Sequence, residues 1–218
     1  MSEHQLFFPF SNGPSYALAD FFTSSSNQHA FEYIKQWPNW PNLGMAILGP
    51  TGSGKTHLAH IWQSLSGARF FDLNKDSDSL KSFQIVQTEP LIFDEQFPGD
   101  VDFFHLLNML RDKKISFLIL NKTPFSQKQI HLKDLLSRLI NIPSFTLQEP
   151  DDDLLKAMIL KQCADAQIVI SEPILKYITT HVNRSYEGVA LFCKKLIHAI
   201  QVQRHNLTLP LVKTVLDH

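Results

Sequence analysis

Residues 45–57, Met-Ala-Ile-Leu-Gly-Pro-Thr-Gly-Ser-Gly-Lys-Thr-His, constrain this chain most. The apolar run 45–48 reads as a buried strand. It breaks into Gly49, Pro50, Thr51, Gly52, Ser53 and Gly54, and then meets Lys55 and Thr56. Beyond them Leu58, Ile61, Trp62 and Leu65 recur at helical spacing, so the loop opens a helix. This is the G-x-x-x-x-G-K-[ST] pattern in the strand–loop–helix setting that gives it meaning. Glycines let backbone N–H groups turn inward around a phosphate chain, because they take the required angles cheaply. The helix start adds its positive dipole end. Lys55 can reach the outer phosphates, Thr56 offers a hydroxyl to Mg2+, and His57 stands at the same junction. The bland alternative is a glycine-rich turn before an ordinary helix.

Composition narrows the remaining classes. The 218 residues are 44% hydrophobic and 19% charged, enough for a sizeable core in one or two domains. A net charge of −1 gives no bulk attraction for DNA or for an anionic membrane, though a local basic patch stays open. No apolar run is long enough to span a bilayer, and the N-terminus does not read as an export signal. Cys163 and Cys193 fall in helical patterns and read as core thiols of a reducing compartment. The histidines form no zinc-ligand pattern with them. A cytoplasmic globular protein is the expectation.

Along the chain, residues 5–10 (Gln5-Leu6-Phe7-Phe8-Pro9-Phe10) are apolar and aromatic, and a turn follows at 11–14. Pro9 favours an extended segment. Gln5 with spaced Leu6, Phe8 and Phe10 suits a peptide docking into an apolar groove, and self-packing is the alternative. After Phe21 and Phe22, Ser26 or Asn27 caps a helix carrying Ala30, Phe31, Ile34 and Trp37 on one face. A second strand is expected at 68–73, and a polar, irregular stretch with room for a short helix at 74–88. A third strand, 90–95, ends in Asp94 and Glu95. Beside a phosphate loop such a pair has specific work: Asp94 holds Mg2+ and Glu95 polarises an attacking water. Otherwise they are solvated acids opening a turn. A helix is expected at 100–112, with Phe103, Phe104, Leu107 and Leu110 inward, and a fourth strand at 115–120. Asn121 at its tip either senses the terminal phosphate or caps the strand. A helix at 132–140 carries Arg138, and 145–147 reads as a fifth strand. From 150 onward strands vanish and four helices follow, opening near 151, 172, 186 and 208. The expected architecture is α/β, a five-stranded parallel sheet followed by a small all-helical domain. The divisions expected are 1–14, 15–149 and 150–218.

These motifs together resemble the AAA+ superfamily, and within it the ATPase region of the bacterial replication initiator DnaA. Phe21, Phe22, Ser26, Asn27 and Ala30 look like the adenine-side segment of that family. Residues 49–56 match Walker A and 91–95 match Walker B. Asn121 falls at sensor 1. Asp134-Leu135-Leu136-Ser137-Arg138-Leu139 looks like the arginine-finger segment, and Asn183-Arg184-Ser185-Tyr186-Glu187-Gly188 resembles the sensor 2 helix start. The chain stops where DnaA would begin its DNA-binding domain. Residues 5–10 look like the clamp-binding hexapeptide of the DnaA-related Hda-type regulators. The Trp-Pro-Asn-Trp-Pro run at 37–41 is similar to their alphaproteobacterial members, the HdaA type. Residues 74–88 and 122–133 have no counterpart, and Tyr186 replaces the usual leucine of its segment.

The resemblance implies ADP or ATP with Mg2+ between sheet and lid. Arg184 would approach the phosphates as an always-charged fork of donors, unless it simply pairs with Glu187. Arg138 would act in trans on the nucleotide of DnaA, unless it pairs with Asp134 at helical spacing. The implied partners are the DnaA AAA+ domain and the DNA polymerase III sliding clamp, with no sequence-specific DNA contact and no membrane. Self-association stays open. Three functions compete: a clamp-dependent regulator of DnaA-bound ATP, a self-contained ATPase that remodels a partner such as a helicase loader, and a DNA-binding initiator fragment. Near-zero net charge argues against the third.

Overall fold

A computed structural model describes residues 16, 18, 21–72, 89–95, 97–201 and 206–217. The segment 5–10 and the whole of the 74–88 stretch lie outside the described residues. The first helix, α1, is Gln28–Lys35, followed by β1 Gly44–Leu48, α2 Lys55–Ser66, β2 Arg69–Phe70 and β3 Leu91–Asp94. Then come α3 Asp100–Asp112, β4 Phe117–Asn121, a 3-10 turn Phe125–Gln127, α4 Lys133–Ile140 and β5 Ser144–Thr146. Four helices close the described chain: α5 Asp152–Asp165, α6 Glu172–His181, α7 Tyr186–Gln201 and α8 Leu209–Asp217.

All strand pairs are parallel, in the order β2-β3-β4-β1-β5. Parallel strands joined by helices have both faces covered, which explains their unbroken apolar runs. Every residue of β1 and β4 is buried. The pleat divides them between two layers. Ala46, Leu48, Phe93, Phe117 and Ile119 pack against α3 and α4 through Phe103, Leu107, Leu110, Leu135 and Leu139. Met45, Ile47, Ile92, Leu118 and Leu120 pack against α1 and α2 through Ala30, Ile34, Leu58 and Trp62.

Differences from the sequence expectation have local causes. Regular pairing in β2 covers only Arg69–Phe70, although the Phe71 amide still bonds the Ile92 carbonyl at 2.7 Å. β4 starts at Phe117 rather than 115. The Ile115 amide is taken by the Leu110 carbonyl, and Lys114 turns left-handed at φ +56° to close α3. Leu65 is exposed rather than inward, because α2 ends one residue later at the left-handed Gly67. Phe104 is only half-buried, leaving its ring open to Arg138.

The four last helices enclose a separate core. Leu155, Ile159, Cys163, Ile178, Val189, Phe192, Leu196 and Val212 meet there, with Cys193 against Cys163 as buried free thiols. Asp151 caps α5, accepting from the Leu154 amide at 2.9 Å. No described helix is long and apolar enough to cross a membrane.

Candidate nucleotide site

In an open parallel sheet, ligands sit outside the carboxyl ends of the strands. Here β3, β4 and β1 are adjacent, and their carboxyl ends bring Asp94, Asn121 and residues 49–56 side by side. The register pairs Asp94 with Leu120 and Leu48 with Asn121. The Gly49 amide then bonds the Asn121 carbonyl at 3.1 Å, and the Glu95 amide bonds that of Leu120 at 3.1 Å.

The loop has the shape of a cradle. Gly52 (φ +80°) and Gly54 (φ +93°) occupy the left-handed region that side chains disfavour. Gly54 is also the N-cap of α2 and brings no capping side chain, so the first amides of that helix gain no side-chain acceptor there. The Ser53 hydroxyl is buried with no hydrogen-bond partner among the described residues. Unmatched donors at a helix start suit an anion with many acceptor oxygens. Lys55 is only 6% exposed. Its ammonium donates to the carbonyls of Gly49 (2.8 Å) and Pro50 (2.9 Å), and lies 3.8 Å from Glu95. Burial lowers its pKa, and the carboxylates of Glu95 and Asp94 oppose that shift. Pro50 and Thr51 are exposed, and Thr56 is half-buried at the first turn of α2.

Burial, followed by the neighbouring charge of Glu95, raises the Asp94 pKa, and Lys55 works the other way. Glu95 adopts φ +57° and is also paired with Lys122 at 3.4 Å. Asn121 is buried. Its amide nitrogen donates to the Thr123 carbonyl at 2.6 Å, and its oxygen faces the Lys128 ammonium at 3.4 Å. Those contacts tie the following loop to the strand tip. Among the described residues no group of three or more His, Cys, Asp or Glu side chains could hold a metal by itself. Thr56 and Asp94 would therefore need phosphate oxygens to complete a Mg2+ shell.

Phe21, Phe22, Asn27, residues 52–54 and His57 line a cavity of about 160 Å³, closed from the helical side by Leu154, Met158 and Tyr186. The ring of His57 meets that of Phe21 edge-on at 5.2 Å. Asn27 is the N-cap of α1, but its side chain serves the preceding turn, accepting from the Ser24 amide and donating to the Phe22 carbonyl, each at 2.9 Å.

Two arginines stand apart from this cavity. Arg184 bonds Asp152 at 2.5 Å on the surface of the helical unit, not Glu187, and does not line the cavity. Arg138 lies by the amino ends of β1 and β4, the far edge of the sheet from residues 49–56. It lines a second cavity of about 330 Å³ with Arg111, Gly44 and Phe117. Its guanidinium donates to Asn108 and stacks over Phe104, with no pairing to Asp134. Sequence reasoning missed Lys122, Lys128, Leu154, Met158 and the position of Tyr186. A lysine directly after the strand-tip Asn121 was a visible signal, whereas the lid residues gave none.

This fold, with residues 49–56 at the carboxyl edge of a five-stranded parallel sheet and a helical unit behind it, is the AAA+ fold. Domain III of the replication initiation protein DnaA from Thermotoga maritima superposes with a TM-score of 0.76 at 19% identity, covering 94% of this chain and 97% of that one. AMPPCP-bound DnaA from Aquifex aeolicus gives a TM-score of 0.70 at 18% identity, over 88% of this chain and 67% of that one. In sequence the chain is similar to the chromosomal replication initiator protein DnaA of Leptospira biflexa, 26% identical over 78% of this chain and 45% of that protein. The domain is thus DnaA-like, and the chain spans about half the length of the relatives it matches. No protein-family model matches it.

Proposed function

We propose that the chain is a nucleotide-binding regulator of replication initiation that promotes hydrolysis of ATP held by DnaA, together with the sliding clamp. In this reading 15–149 bind the nucleotide, 150–218 form its lid, and 1–14 dock on the clamp. Residues 49–57 hold ADP or ATP through backbone amides, Ser53 and Lys55. Phe21, Phe22 and Asn27 shape the base side, and Asn121 faces the terminal phosphate. Mg2+, when bound with nucleotide at Thr56 and Asp94, supplies positive charge against the phosphate oxygens. Glu95 orients water, and its pairing with Lys55 and Lys122 keeps that role weak in this chain.

The observation that carries the regulatory reading is the position of Arg138. At the far edge of its own sheet it cannot serve its own phosphate loop, but it is available to a neighbouring molecule. A guanidinium delivered in trans stabilises charge that develops during phosphoryl transfer, and such fingers contribute roughly 10³–10⁵ in rate where measured. The second reading, a self-contained ATPase acting on a partner such as a helicase loader, is favoured by the intact acidic pair Asp94 and Glu95 at the carboxyl end of β3. Turnover of DnaA-bound ATP separates the two, measured with clamp on DNA and with this chain as wild type, Arg138→Ala, or Leu6→Ala with Phe8→Ala. The regulator reading expects stimulation by wild type alone, with the Leu6/Phe8 variant losing clamp pull-down at unchanged melting temperature. Full stimulation by Arg138→Ala excludes the finger.

A further inference from the structure

We propose that Tyr186, rather than Arg184, is the lid residue that reads the phosphate loop, and that its hydroxyl latches lid to sheet. The proposal rests on residues 49–57 being a nucleotide loop. Tyr186 opens α7 and is 4% exposed. Its hydroxyl donates to the Gln148 carbonyl at 3.0 Å, just beyond β5. The Gln148 amide in turn bonds the Ser26 carbonyl at 3.2 Å, and the Leu147 amide bonds that of Leu48 at 2.7 Å. One phenol thus connects the start of a lid helix to the strand exit that braces the loop.

The other end of the same residue rests on the loop itself. A Cβ built on Gly52 would lie 3.1 Å from the Tyr186 Cβ and 3.8 Å from its carbonyl carbon. Gly52 is one of the positions whose amide must point at a bound anion. Any adjustment of its backbone presses on the first turn of α7, since closely packed atoms transmit displacement rather than absorb it. The Tyr186 ring also walls the cavity opposite Phe21 and Asn27. A second tie crosses nearby, from the Ser25 hydroxyl to Asp151 at 2.8 Å. Arg184 makes no such crossing. Its partner Asp152 belongs to α5, so both ends of that ion pair ride on the lid.

The test uses the full chain and a fluorescent ADP analogue, with wild type, Tyr186→Phe and Arg184→Ala. Tyr186→Phe keeps the ring and removes one hydrogen bond. Release should become about three- to tenfold faster, the factor expected for one net hydrogen bond, with the association rate unchanged. Its effect should exceed that of Arg184→Ala. In the nucleotide-free chain, amides at 148, 149, 151–154 and 52–56 should exchange faster in Tyr186→Phe. Unchanged release and unchanged exchange in Tyr186→Phe overturn the latch, as does a larger effect from Arg184→Ala. A folded wild-type chain that takes up no ADP overturns the reading of the loop, and this proposal with it.

Discussion

Asp94 holds a negative charge where burial and Glu95 both penalise it, and Lys55 and His60 compensate only in part. Its folded pKa is raised. The stability it contributes is therefore fully present below the ordinary carboxylate range and lost as pH rises through the raised value. In the nucleotide-free chain, Asp94→Asn should melt higher than wild type near neutral pH. The gap should shrink as the solution is acidified through the carboxylate range, because wild type then takes up the missing proton. Thermal unfolding followed from about pH 4 to about pH 8 checks this, and a variant that melts lower at neutral pH contradicts it. The same substitution should weaken Mg2+-dependent nucleotide uptake. On the proposed reading of the site, stability is given up where a charge is needed. At this scale much was legible. The loop glycines, Lys55, Asp94 and Glu95 are adjacent to strand ends in sequence, so their convergence follows from a parallel sheet. Tyr186 and Lys128 were not legible, because their partners lie 38 and 7 residues away and no local pattern marks them.

Among the elements, β1 and β4 meet most closely at their first residues. Gly44 is in register with Phe117, and a Cβ there would lie 2.3 Å from two ring carbons. The ring belongs to the layer that contains Leu107 and Leu110 and also borders the cavity beside Arg138, so giving way takes it out of that layer. Gly44→Ala should cost about 1–3 kcal/mol, the range of a core overfilled by a methyl group. Urea unfolding reads the loss. Adding Phe117→Leu should recover part of it, and a Gly44→Ala chain as stable as wild type would show that the ring gives way freely. The expected strand began at residue 45 because apolar content starts there. That Gly44 belongs to the sheet is decided across the register by a neighbour 73 residues on. Helix faces were legible with few errors, since 3.6-residue periodicity is local. Leu65 was misplaced because α2 closes just after it at Gly67, and Phe104 because its ring lies under Arg138 of α4.

For the molecule as a whole, two cores matter, one around the sheet and one inside the helical unit. The cavity that joins them is walled by residues from both. A ligand bound there favours the folded state by mass action, about 2.7 kcal/mol at a hundredfold excess over its Kd. For a chain of this length that corresponds to roughly 5–10 °C in Tm. Calorimetry with saturating ADP and Mg2+ should show this rise in wild type and none in Lys55→Ala, and equal rises would place the ligand elsewhere.

The order of strands and helices, the phosphate loop and the acidic strand end were determined by the sequence alone, because each is a pattern of neighbours along the chain. Which arginine faces which surface was decided only by tertiary structure. Arg138 near the end of α4 and Arg184 just before α7 look alike as basic residues beside helix ends. One is carried to the far edge of the sheet, and the other is held by Asp152 on the helical unit, through packing of parts distant in sequence.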